Sequence, residues 1–154
     1  MIGTVLLDVD GILTDGAVYV DSSGKETKRI LFEDIDAIFD LKRAGVKIGF
    51  ITGEDNAFCE YLKKRFAPDF FKTGCGDKLN TCKDLIKQAG LSLSSVCYAG
   101  DSKKDVGLLE FLPLSFAPAD VGQNVKDAAK VILKASRGQG VVREIANHVL
   151  DRSQ

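Results

Sequence analysis

Short apolar, β-favouring runs recur at residues 5–7, 46–51, 96–99, 114–116 and 131–133, and stretches of helical periodicity lie between them. Such alternation predicts a parallel sheet with helices on both faces and right-handed crossovers. Strands covered on both faces are apolar throughout rather than at every second residue, as these runs are. Ligands of such sheets bind beyond the carboxyl ends of the strands. Asp8 and Asp10 follow the first run, Thr52 the second and Asp101 the third, so groups far apart in sequence are expected to converge at one sheet edge.

Between the runs, residues 34–44 are expected to form a helix capped by Asp34 and closed by Gly45. Further helices are predicted over 56–65, stopped by Pro68, from Lys78 to Gly90, and over 106–111, 124–129 and 141–150. Residues 69–71 suit a brief strand. Residues 17–20 and 25–32 flank the turn sequence Asp21-Ser22-Ser23-Gly24, which predicts a hairpin projecting over the pocket as a flap. Ser136-Arg137-Gly138-Gln139-Gly140 is expected to be flexible.

The 154 residues suit one domain with its own core, residues 1–154, and no linker or repeat is visible. A net charge of −1 with dispersed lysines and arginines argues against nucleic acid as a partner. No apolar run approaches the roughly 18 residues that a membrane span needs. The first strand begins almost at the N-terminus, so a cytoplasmic protein is expected. Cys59, Cys75, Cys82 and Cys97 contain no C-x-x-C pair and are expected as reduced, mostly buried thiols; His148, the single histidine, is expected to be a surface or packing residue rather than a catalyst.

The stretch Asp8-Val9-Asp10-Gly11 carries the chemistry. Residues i and i+2 of an extended chain point the same way, so two carboxylates share a small volume and repel unless a cation joins them. A bare D-x-D-G is also an ordinary water-facing turn. Thr52-Gly53 offers a hydroxyl and free amides for phosphoryl oxygens, although Thr-Gly is also a common loop. Lys78 opens a helix, where a cation is disfavoured unless an anion lies beside it. Asp101 can supply a further metal oxygen, and Asp105, a helical turn later, can hold Lys78 or Asp101 by hydrogen bonding.

Taken together, D-x-D-G-x-x-T-D, Thr52, Lys78 and Asp101/Asp105 resemble, in order, the four motifs of the haloacid dehalogenase (HAD) superfamily. The resemblance implies a three-layer α/β/α Rossmann-like fold and a phosphatase working through an aspartyl-phosphate. Asp8 would be the nucleophile and Asp10, starting protonated, the general acid/base. Thr52 and Lys78 would hold the phosphoryl oxygens, and Mg2+ would be bound by Asp8, the Asp10 carbonyl and Asp101.

About twenty residues separate the first motif from the next helix and some twenty-five separate Thr52 from Lys78, which leaves no room for a cap domain. That frame, D-G-I-L-T-D-G with its hairpin, and the tail S-R-G-Q-G-V-V-R-E-I resemble the phosphatases of 3-deoxy-2-ulosonic acid sugar phosphates. This narrower resemblance implies a homotetramer in which flap and C-terminal tail complete neighbouring sites. It also implies substrate contacts from Asp34, Gly53, Glu54, Arg137 and Arg143.

Glu54 stands where the branch acting on 3-deoxy-D-manno-octulosonate (Kdo) 8-phosphate has arginine. With Arg65 as the accompanying base, it points to a nine-carbon substrate, KDN or N-acetylneuraminate 9-phosphate. Ala37 and Ser102 also depart from the family pattern. The alternatives are Kdo 8-phosphate, a broad housekeeping phosphatase, and a non-catalytic oligomerisation module like that attached to animal CMP-sialate synthetases.

Overall fold

The computed structural model describes residues 1–151. Six parallel strands form the sheet: β1 (Thr4–Leu7), β4 (Lys47–Ile51), β5 (Phe70–Lys72), β6 (Val96–Ala99), β7 (Leu114–Ala117) and β8 (Val131–Ile132), in the order β5-β4-β1-β6-β7-β8. Leu7 pairs with Phe50 on one side and with Ala99 on the other. The chain leaves β1 for β4 and later returns to its opposite flank with β6, so β1 lies at the topological switch point, where a crevice opens beyond the strand ends.

Alternation along the strands builds two cores. Val5, Leu7, Ile48, Phe50, Cys97 and Ala99 face one layer, with α1 (Phe32–Arg43), α2 (Ala57–Phe66) and α6 (Val141–Asp151) packed over them. Leu6, Ile51, Val96 and Tyr98 face the other, under α3 (Lys78–Gln88), α4 (Val106–Phe111) and α5 (Gln123–Ala128). The expected three-layer α/β/α arrangement is thus present, and the element positions agree with the sequence reading to within a few residues. Val141, Val142, Ile145, Ala146 and Val149 of α6 are all fully buried, so truncating Ile145 to alanine would cost about 2–5 kcal/mol.

The flap is shorter than expected. Its ladder is β2 (Tyr19–Val20) against β3 (Glu26–Thr27), both exposed, with one further antiparallel bridge between Thr14 and Ile30 at its base. Asp21 closes the turn as its sequence predicts: its carboxylate accepts from the amides of Ser23 and Lys25, at 2.8 and 3.0 Å.

Two local expectations are corrected. Asp34 does not cap its own helix, because α1 begins two residues earlier, at Phe32, with Leu31 in the cap position. Asp34 lies in the first turn, buried, and accepts from the Arg143 amide at 2.9 Å, so it caps α6 across the layer instead. Residues 136–140 are not a loose tether. The Gln139 amide donates to the Ser136 carbonyl, and the Arg137 amide donates to Asp120 at 2.9 Å. Gly138 (φ +75°) packs so tightly on Asp15 that a Cβ would stand 2.4 Å from the Asp15 Cβ.

Cys59, Cys75, Cys82 and Cys97 are free thiols, and burial pushes those of Cys82 and Cys97 up to about 12. His148 packs against Phe116, with ring centroids 5.6 Å apart. Among the described residues no helix is long and apolar enough to cross a membrane.

Candidate active site

Beyond the ends of β1, β4 and β6 lies a cleft of about 390 Å³ lined by Asp8, Asp10, Thr52, Gly53, Glu54, Lys78 and Asp101, together with Gly16, Ser102 and Lys104. Asp8 is fixed directly by its strand: its amide donates to the Ala99 carbonyl at 3.0 Å, and its carboxylate accepts the Val9 amide at 2.8 Å. Gly11 then turns the chain at φ +87°. A Cβ there would come within 1.9 Å of an Asp101 carboxylate oxygen, so glycine is what allows the ends of β1 and β6 to close on each other.

Lys78 reaches the cleft from the first turn of α3, whose N-cap is Asp77. Its ammonium lies 3.0 Å from Asp8 and 2.7 Å from Asp105, with 5% of the side chain exposed. Burial works against this charge, but Asp8 and Asp105 outweigh it and hold the Lys78 pKa above its ordinary value. Asp105 is saturated with donors. Its Oδ1 accepts from Lys78 and from the Tyr98 hydroxyl, both at 2.7 Å, and its Oδ2 accepts from the amides of Asp101 and Ser102, both at 3.0 Å. It therefore holds both Lys78 and the Asp101 loop, the two groups the sequence offered as alternatives. Despite burial, Lys78 keeps the Asp105 pKa low.

The remaining electrostatics suit a bound cation. Oxygens of Asp8, Asp101 and Asp105 lie within 4.8 Å of one another. Burial, then Asp105, push the Asp8 carboxyl up to about 8, and the same two causes raise Asp101. Lys78 and Arg137, the latter 3.6 Å from Asp101 and shared with Asp120, leave these three carboxylates incompletely neutralised. Since Asp105 has spent its lone pairs on protein donors, Asp8 and Asp101 are left as a hard, all-oxygen pair of the kind that suits a small divalent ion. Thr52 is buried, and its hydroxyl accepts the Glu54 amide at 3.2 Å, so the loop after β4 curls over the cleft.

Three expected substrate contacts are not brought here. Asp34 is committed to α6. Arg143 donates to Asp40 at 2.8 Å and to the Glu33 carbonyl, clamping α6 to α1. Arg65 is exposed in the last turn of α2, a helix that starts at the cleft edge and runs away from it, and it borders a separate depression with Tyr61 and Lys64. Arg137 does arrive: it pairs with Asp120 at 3.2 Å and stands 3.6 Å from Asp101. It does so within its own chain.

Sequence reasoning missed two residues. The Tyr98 hydroxyl is buried inside an apolar strand and must find a partner, a signal that the strand pattern contains in principle. Lys28, after β3, donates to Asp10 Oδ1 at 2.7 Å, and its side chain is 7% exposed. Nothing in the local pattern separates it from Lys25 or Arg29.

Residues 64–145 match the haloacid dehalogenase-like hydrolase family, and the chain belongs to that family. It is similar over 149 residues to the Kdo 8-phosphate phosphatase KdsC of Haemophilus influenzae, with 33% identity covering 95% of this chain and 81% of the relative. The fold is that of the Moraxella catarrhalis Kdo 8-phosphate phosphatase solved with magnesium, phosphate and Kdo: TM-score 0.91, 29% identity, 97% of this chain and 86% of that one. A more distant likeness, 32% identical over 152 residues, is to the N-acylneuraminate cytidylyltransferase A of Danio rerio, of which this chain spans 34%. This chain is an enzyme of the HAD phosphatase type.

Proposed function

We propose that the chain hydrolyses the terminal phosphate of a 3-deoxy-2-ulosonic acid, with Kdo 8-phosphate as substrate. The observation that carries the chemistry is the meeting of Asp8, Asp101 and the Lys78–Asp105 pair at the switch point of the sheet. Asp8 attacks phosphorus; as the P–O bond to the sugar breaks, Asp10 delivers a proton to the departing oxygen, leaving an aspartyl-phosphate. Asp10 then takes a proton from the water that hydrolyses it. Lys78 and the Thr52–Gly53 loop face the equatorial phosphoryl oxygens, where negative charge sits in the transition state. The carboxylates of Asp8 and Asp101 and the Asp10 carbonyl would hold Mg2+, which would supply charge neutralisation for the attack of a carboxylate on a phosphate dianion.

The eight-carbon substrate replaces the nine-carbon one favoured by the sequence. The nine-carbon reading rested on Glu54 acting with Arg65, and only Glu54 lines the cleft. Relatives matched over nearly the whole chain and most of their own length include Kdo 8-phosphate phosphatases, whereas the cytidylyltransferase is matched over only 34% of its length. Arg137, beside Asp101, suits the sugar carboxylate.

Residues 1–154 act as one catalytic domain without a cap, in the cytoplasm, where the free thiols stay reduced. A homotetramer shields the open cleft. The exposed Val18, Tyr19, Val20 and Phe32 around the flap support burial against another copy, and light scattering would test the assembly. The tail expected to complete a neighbouring site, from Ser136 onward, is described as far as residue 151; there Arg137 pairs with Asp120 and α6 packs into the core of its own chain, so the support for the tetramer comes from the flap.

Phosphate release from Kdo 8-phosphate, KDN 9-phosphate and N-acetylneuraminate 9-phosphate, with magnesium, tests the substrate. A preference of at least about tenfold in kcat/KM for the eight-carbon compound is expected. Equal or better use of a nine-carbon compound overturns the assignment, and wild-type turnover by Asp8→Asn overturns the mechanism.

A further inference from the structure

Lys28 is the one cation of the flap that turns inward. Its neighbours Thr27 and Arg29 are exposed, whereas the Lys28 ammonium is buried between the Asp10 carboxylate, 2.7 Å away, and the face of Phe58, 5.1 Å from the ring centroid. A buried ammonium is costly unless paired, and here a single carboxylate oxygen and one aromatic face provide the compensation. Thr14 adds a long contact to the same Asp10 oxygen, Oδ1, at 3.5 Å. Phe58 belongs to the first turn of α2, so the contact joins three parts of the molecule: the turn after β1, the returning limb of the flap, and α2. Lys28 also lines a second cavity, of about 650 Å³, with Ile30, Phe32, Phe58 and Tyr61; it stands as the polar partition between that apolar groove and the cleft containing Asp10.

We propose that Lys28 is a positioning residue for Asp10. By occupying Oδ1 it fixes the rotation of the carboxyl and presents Oδ2 to the oxygen that leaves phosphorus, and it ties that orientation to the seating of the flap. The inference rests on Asp10 acting as general acid, as set out above. No bond other than those of that reaction is made or broken: the Asp10 proton goes to the bridging oxygen as the Asp8–phosphorus bond forms. A charge-assisted contact to one oxygen of a two-oxygen group suits this task, because it restrains the side chain without consuming the atom that reacts.

The test uses leaving groups. A sugar alkoxide needs the proton in order to leave, whereas p-nitrophenolate leaves without one. The general acid therefore contributes to the first compound and little to the second. In the full chain with magnesium, Lys28→Met should lower kcat/KM for Kdo 8-phosphate by about tenfold or more and that for p-nitrophenyl phosphate by less than about threefold.

On the sugar phosphate, adding Lys28→Met to Asp10→Asn should cost almost nothing further, since the lysine acts through the carboxyl already removed. Lys28→Arg, which keeps a cation against Phe58, should recover most of the loss. Equal losses on both substrates, or full additivity with Asp10→Asn, would mean a purely structural role and overturn the proposal.

If Lys28→Met does not fold, Phe58→Leu removes the ring beneath the ammonium. It should give a smaller loss with the same leaving-group bias, and an unbiased loss, or none, overturns the idea. Retained activity in Asp8→Asn would instead remove the underlying mechanism, so the two failures are distinct.

Discussion

The Tyr98 hydroxyl donates to the same Asp105 oxygen as Lys78 and lies 3.4 Å from the lysine nitrogen, so it decides how the ammonium is shared. Burial raises the tyrosine pKa well above its ordinary value, which keeps it a donor at any working pH. Tyr98→Phe should cost about 1 kcal/mol of stability, the net worth of one hydrogen bond, and lower kcat several-fold with little change in KM. Thermal melts and steady-state kinetics check this.

Gly11→Ala should act on the metal instead: its Cβ would displace the Asp101 carboxylate, and magnesium titration by calorimetry should show affinity reduced at least about tenfold. The positions of Asp8, Asp10, Thr52, Lys78, Asp101 and Asp105 are legible in the sequence because each closes a strand or opens a helix within a recognisable string. The partners of Lys28 and Tyr98 are not, because they lie 18 and 7 residues away and only the folded chain brings them together; for Tyr98 the strand pattern shows at most that a buried hydroxyl needs one.

At the scale of elements, strands and helices follow from apolar runs and their punctuation, and these survive folding because the two cores use opposite strand faces. The reading fails where a polar side chain could serve either its own element or another. Asp34 has the composition of a cap for α1, but with α1 extended to Phe32 the same carboxylate falls beside the free amides of α6. Arg143, read as a sugar ligand, is drawn into the same α1–α6 clamp through Asp40.

Burial pushes the Asp34 carboxyl up to about 6, against the pull of the Arg143 and Val142 amides. The folded state therefore binds a proton that the unfolded chain has already lost, so stability falls as pH rises from about 4 towards about 6 and levels off above. Asp34→Asn keeps the acceptor for Arg143 and removes this titration. Urea unfolding across that window should show the wild type losing on the order of 2–3 kcal/mol relative to the variant, with the gap constant above pH 7.

For the molecule as a whole, the sheet gathers more negative charge at its switch point than the protein neutralises. Folding without metal therefore includes confining Asp8 and Asp101 beside Asp105 with only Lys78 and the Asp120-shared Arg137 as nearby cations, and burial together with Asp105 raises the Asp8 pKa. Two consequences have opposite signs. Asp8→Asn should end turnover and yet raise the melting temperature of the metal-free protein, because the carboxylate it removes is the one most opposed by its surroundings.

Magnesium should stabilise the wild type by mass action, about 2.7 kcal/mol at a hundredfold excess over its dissociation constant, or roughly 5–11 °C in a domain of this size. Calorimetry with magnesium and with a chelator separates the two effects. The wild type should gain the shift and Asp101→Asn should not, since one of the two carboxylates free to bind the ion is gone. An undiminished shift in Asp101→Asn would mean that the ion binds elsewhere, and the electrostatic logic of the cleft would have to be assigned to a different set of oxygens.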